Sequence, residues 1–197
     1  MIILIIVILL FVAIFIMLKL EKHEVKYVRS NVDGVEYLVR NIKDDPNDTQ
    51  MAADMLGQIH LNINKFVDYV YNKRNDEGYV ENKKYIEQLH ERIKKTVISE
   101  SDAKSEYTSF SLNKGEKIVI CLRSKYDGKL HDMNMIMYVV THEISHCGAS
   151  KIGHGEEFRH VFSAFAKYAV EMGLYKKIDF ASNPVEYCGI TINESII

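Results

Sequence analysis

The residues best placed to do chemistry are His142, Glu143 and His146, in the stretch Thr141-His142-Glu143-Ile144-Ser145-His146. On a helix, residues four apart lie one above the other, so the two imidazoles can grip one cation between them. Glu143 stands one step round the helix. From there it can reach a water on that cation and act as a general base. A third histidine, His154, follows between Gly153 and Gly155. Three histidines around a zinc ion, with the fourth position open to water, make a hydrolytic site of the kind that cleaves peptides.

Other donors compete for the third place. A downstream glutamate can serve, and Glu171 is the best placed. Glu156 and Glu157 sit on the first turn of a helix, where the dipole alone favours acidic residues. The spacing excludes the metzincin pattern, which needs a histidine six residues after the second; Ile152 stands there. Tyr187 is a candidate hydrogen-bond donor to the oxyanion of a tetrahedral intermediate. A different function follows if Cys188, Glu171 or another side chain closes the fourth position: a structural zinc in a non-catalytic binding module displayed on a membrane.

These groups need a scaffold. Asp132 can N-cap a helix that runs to Cys147 and stops at Gly148. Its core face carries Met133, Ile136, Met137, Val140, Ile144 and Cys147, with the histidines opposite, above Met135 and Val139. A helix after Gly155 has Phe158, Val161, Phe162, Phe165, Ala169 and Met172 at core spacing. Upstream, two extended runs flank Asp33-Gly34 as a hairpin. Asp48 or Thr49 caps an amphipathic helix through Ala52, Leu56, Ile59, Ile63, Phe66 and Val70, and a second helix carries Ile86, Leu89, Ile93 and Val97. His60 reads as a solvated or capping group, and His90 and His160 read as structural. Residues 105–122 form a hairpin around Asn113-Lys114-Gly115, whose free edge is a candidate to pair with an extended substrate. The tail from Tyr175 reads as irregular.

The chain has 197 residues and a net charge of −2, so composition gives no support for a nucleic-acid partner. Its three cysteines are odd in number and widely spaced, which argues against a disulfide framework and for a reducing compartment. Residues 1–18 are all apolar and read as a transmembrane anchor, leaving residues 19–197 as one domain. Lys19, Lys22, Lys26 and Arg29 follow the apolar run. They place that domain on the cytoplasmic, or virion-interior, side of a single-pass protein.

His142-Glu143-x-x-His146, then His154-Gly155-Glu156-Glu157-Phe158, resembles the SprT-like and WLM zincin metallopeptidases. The resemblance implies an α+β, zincin-like domain, mostly helical with a small antiparallel sheet. It also implies zinc on His142, His146 and His154, a catalytic Glu143, and a protein or peptide substrate. The DNA-crosslink repair associated with SprT-like proteins is not carried over, because this chain pairs an acidic balance with an expected membrane anchor. The wider layout, with Asn113-Lys114-Gly115-Glu116, Cys121-Leu122-Arg123 and Tyr187-Cys188-Gly189, resembles uncharacterised metallopeptidase-like proteins of large nucleocytoplasmic DNA viruses.

Overall fold

The computed structural model describes residues 8–12, 25–42 and 44–197. Strands β1 (Val25–Arg29) and β2 (Glu36–Arg40) form the expected antiparallel hairpin, with Val25 opposite Arg40. Helix α1 (Pro46–Lys73) follows. Its N-cap is Asp45 rather than Asp48 or Thr49. The Asp45 carboxylate accepts from Asp48 N at 2.9 Å, and Pro46 takes the first helical position, where its missing N–H costs nothing. A 3₁₀ turn (Val80–Asn82) leads into α2 (Lys83–Ile93).

The helical pattern extended through Val97, but α2 ends at Ile93, and Val97–Glu100 is strand β3. Thr96, Val97 and Ile98 are β-branched and suit a pleated surface better than a helix. β3 pairs in parallel with β5 (Lys117–Ile120), which pairs antiparallel with β4 (Phe110–Leu112). The central sheet is therefore mixed, in the order β3-β5-β4, where an antiparallel one was expected. The α+β class holds.

Helix α3 (Met133–Gly148) carries the motif, and α4 (Glu156–Glu171) packs against it. Asp132 caps α3 as expected, accepting from Asn134 N at 2.8 Å. Ile136, Val140, Ile144 and Cys147 are buried in the core. α3 and α4 approach so closely at Gly148 that a Cβ there would lie 2.9 Å from the Phe165 ring. Phe165 in turn meets Phe66 of α1 edge-on at 5.6 Å. The motif helix is thus wedged between α2, α4 and the sheet edge.

The tail is more ordered than the sequence suggests. β6 (Val185–Tyr187) and β7 (Ile190–Ile192) form a hairpin turning on Cys188 (φ 50°) and Gly189 (φ 85°), the positive-φ pair of a tight turn. Cys188 is disulfide-bonded to Cys121, which corrects the expectation of free cysteines and removes its support for a reducing compartment. The two residues are 67 apart and meet only through tertiary packing, which spacing cannot show. Cys147 is free and buried.

The expected membrane span at residues 1–18 lies mostly outside the described residues. Residues 8–12 are helical and exposed. Among the described residues no helix is long and apolar enough to cross a membrane. The single-pass assignment, and with it the sidedness, is corrected accordingly. The longest described helix, α1, has 28 residues but is amphipathic, with Asp54, Lys65 and Asp68 along it.

Candidate metal centre

His142 and His146 project from successive turns of α3, and His154 comes from the turn between α3 and α4. Their Nε2 atoms form a triangle: 3.2 Å from His142 to His146, 3.2 Å from His146 to His154 and 3.0 Å from His154 to His142. Neutral imidazole nitrogens are either donor or acceptor. Around a triangle at least two of the three must play the same role, so no choice of tautomers satisfies all three contacts. One cation receiving three lone pairs does. Zinc–nitrogen bonds of about 2.0–2.1 Å at tetrahedral angles put such nitrogens roughly 3.3 Å apart, close to what is seen. These three residues can hold a metal ion.

The rings are held from behind by Phe158, on the first turn of α4. It stacks on His146 (centroids 4.2 Å apart) and meets His142 and His154 edge-on, each at 4.8 Å. The turn bearing His154 is tied down at the C-terminus of α3. Arg92 Nη1 donates to Cys147 O (2.7 Å) and Ala149 O (2.9 Å). Lys114 Nζ donates to Ala149 O (3.1 Å) and to Lys151 O. Cations are favourable at helix C-termini, where carbonyls are left over. Gly115, beside Lys114, has φ 110°, and a Cβ there would lie 3.0 Å from Cys147 Sγ. The β4–β5 turn is therefore packed directly onto the motif helix.

Burial, together with the other two histidines, depresses the His142 pKa to about 3. Burial, His154 and Lys114 bring that of His146 to about 4. Both rings are neutral near pH 7, with lone pairs free to ligate.

Glu143 is 3% exposed. Its carboxylate accepts one hydrogen bond from Ser111 N of β4, while Oε2 is buried without a hydrogen-bond partner among the described residues. Burial raises its pKa to about 8, only partly offset by the Ser111 N–H. Beneath it, burial and the nearby Glu143 push the Cys147 thiol up to about 12, so Cys147 is an inert core residue.

Glu143 and the three histidines line a cavity of ≈ 650 Å³, within the range of small-ligand sites. Tyr187 lines it too, although it is 1% exposed. The Tyr187 hydroxyl pairs with Ser109 Oγ at 2.5 Å, and Ser109 Oγ accepts from Cys121 N at 2.9 Å. Burial raises the Tyr187 pKa, so the phenol keeps its proton. Ser109, Ser111 and Lys114 escaped the sequence reading. Their signal lay in the 105–122 hairpin, but only the fold shows which of its groups turn towards Glu143.

The competing donors stand elsewhere. Glu171 accepts from the Tyr69 and Tyr79 hydroxyls, each at 2.7 Å, and pairs with Lys73 at 3.2 Å. Glu157 accepts from Lys151 N. His60 pairs with Tyr37 and Asp33, His90 stacks on Tyr71, and His160 meets Asn82.

The chain is 39% identical over 184 residues to the uncharacterized protein R325 of Acanthamoeba polyphaga mimivirus, covering 93% of this chain and 90% of that protein. The chain belongs to this viral family. Shorter matches link the family to uncharacterized protein 136R of Invertebrate iridescent virus 6, 35% identical over 34% of this chain and 38% of that protein. Uncharacterized protein 042R of Invertebrate iridescent virus 3 is 34% identical over 42% of this chain and 50% of its own length. No family model matches the chain. Among solved structures, Wss1 from Saccharomyces cerevisiae aligns with a TM-score of 0.46 and 18% identity over 67% of this chain and 87% of that one.

Proposed function

We propose that this chain is a zinc-dependent metallopeptidase of zincin type, acting on protein or peptide substrates. The observation that carries the reading is the histidine triangle beside a buried, half-satisfied carboxylate in one cavity. His142, His146 and His154 would hold the ion. When bound, zinc supplies a Lewis acid that makes a water more acidic and polarises a carbonyl.

The remaining work belongs to the chain. Glu143 Oε2 takes a proton from the attacking water and delivers it to the nitrogen of the leaving amine. Ser111 N–H holds the carboxylate in place while it does so. A cation nearby favours the ionised form of Glu143, offsetting the desolvation that raises its pKa. Tyr187 Oη, positioned by Ser109, donates to the carbonyl oxygen as negative charge develops on it. An extended substrate pairs with the backbone edge of β4, which has β5 on one side and the cavity on the other.

The rival, a zinc-stabilised binding module, requires a protein side chain in the fourth position. Two named candidates are committed elsewhere: Cys188 to Cys121, and Glu171 to Tyr69, Tyr79 and Lys73. The test is Glu143→Gln. The variant should retain zinc and lose hydrolysis of an unfolded protein by about 10²–10⁴-fold. Undiminished cleavage would sink the mechanism.

A further inference from the structure

The cavity carries more information than its catalytic groups. Apart from the histidines, the acidic and basic side chains lining it are Glu143 and Lys114. Glu143 is committed to the reaction. The Lys114 ammonium keeps its charge but is held by the carbonyls of Ala149 and Lys151, at the turn bearing His154. The lining contributed by residues 107–111, by Tyr138 and Val139 and by the tail hairpin carries no counter-charge for a charged side chain on a bound peptide.

What the cavity does offer is apolar surface: Ile152 lines it beside the His154 turn, and several more apolar residues gather around the tail hairpin. The Tyr187–Ser109 hydrogen bond brings the β6–β7 hairpin against the N-terminal end of β4. Ile190 and Ile192, two apart on β7, share a face, and both line the cavity. Tyr107, from the segment before β4, lines the same cavity, and Tyr138 and Val139 of α3 line it too. Tyr138 is buried, its ring packed against Phe162, Tyr175 and Phe180 and its hydroxyl engaged by Ile196 N at 3.3 Å, so with buried Val139 it forms the apolar floor of the cavity. Tyr107 and Ile190 are 70% and 50% exposed. Apolar side chains left open in a concave site, contributed by separate segments, mark surface that a ligand covers.

We infer that the site selects extended peptides bearing a large aliphatic or aromatic side chain, seated between Ile190, Ile192, Tyr107, Tyr138 and Val139 at the tail-hairpin end of the cleft. This deepens the peptidase reading and rests on it for the presence of a scissile bond. The disulfide at Cys188 fixes the hairpin that forms the wall, so the preference is a property of the oxidised chain.

The experiment uses the full chain loaded with zinc and a mixed peptide library, with cleavage sites read by mass spectrometry. In parallel, binding of fluorescent peptides to the Glu143→Gln protein is measured. Peptides with Leu, Phe or Met at a position flanking the cut should react about ten- to a hundredfold faster than those with Ala, Asp or Lys there. Ile190→Asp, at a half-exposed position, should erase that preference and raise cleavage of Lys- and Arg-containing peptides. Cleavage at sites flanked by charged or small residues overturns the inference and leaves the peptidase reading standing. No cleavage, with apolar peptides still binding Glu143→Gln at least tenfold tighter than charged ones, removes the peptidase and keeps the apolar site. No cleavage and no discrimination in binding removes both.

Discussion

Replacing Cys121 and Cys188 together by serine should destabilise the domain strongly. The bond joins residues 67 apart, and closing a loop of that length removes chain entropy from the unfolded state worth about 4 kcal/mol at 25 °C. For a domain of this size each kcal/mol shifts the midpoint by roughly 2–4 °C, so the melting temperature should fall by roughly 8–16 °C. Reductant should lower the wild-type midpoint to that of the double variant and leave the variant unmoved. The damage should be felt at the site as well. Tyr187 adjoins Cys188, and Ile190 lies two residues beyond it on the hairpin that walls the cleft. Thermal melts with and without reductant measure the first effect. Thiol titration of unreduced, denatured protein checks the premise, with one reactive thiol, Cys147, expected per chain. Three thiols, or a midpoint indifferent to reductant, would refute the reasoning.

Two further perturbations follow from charged groups away from the cavity. Arg123 is 1% exposed, donating to Glu100 Oε1 at 2.8 Å and pairing with Asp48. Arg123→Met removes the nearer of two cations at buried Glu100, leaving Arg40, whose backbone N–H donates to Oε2 at 2.7 Å, and should cost about 1–3 kcal/mol in urea unfolding at pH 7; no measurable loss would contradict that. The Tyr79 and Tyr69 hydroxyls, with Lys73, draw the Glu171 pKa down to about 2. A depressed carboxylate stabilises the fold above its unfolded pKa, and that contribution fades as pH falls through about 2. Because Glu171 is exposed, Glu171→Gln should cost less than about 1 kcal/mol at pH 7, and the gap between variant and wild type should close in acid. A gap that widens on acidification has the wrong sign.

Much of the site was legible because it is local. His142, Glu143 and His146 lie within one helix whose cap, Asp132, and stop, Gly148, stand in the chain. His154 was readable as a candidate because a short glycine-flanked turn lets the chain come back over that helix. What stayed hidden is what long-range packing decides. Ser111 reaches Glu143 only because β4 is an edge strand. Cys121 and Cys188 meet only because the tail hairpin folds onto β5. Glu171 looked available as a ligand until Tyr69 and Tyr79 were seen to converge on it. Val97 misled through its helical phase, since a four-residue strand after a helix can continue the apolar spacing by chance. The apolar run at residues 1–18 lies mostly outside the described residues, and no described helix is long and apolar enough to cross a membrane.

Metal content tests the central claim most directly. Purified full-length protein, dialysed against a trace of zinc and measured by elemental analysis, should hold one zinc per chain. His154→Ala should weaken that binding sharply while circular dichroism shows the helices intact. A folded protein that takes up no zinc, or whose zinc is indifferent to loss of His142, His146 and His154 in turn, would contradict the account.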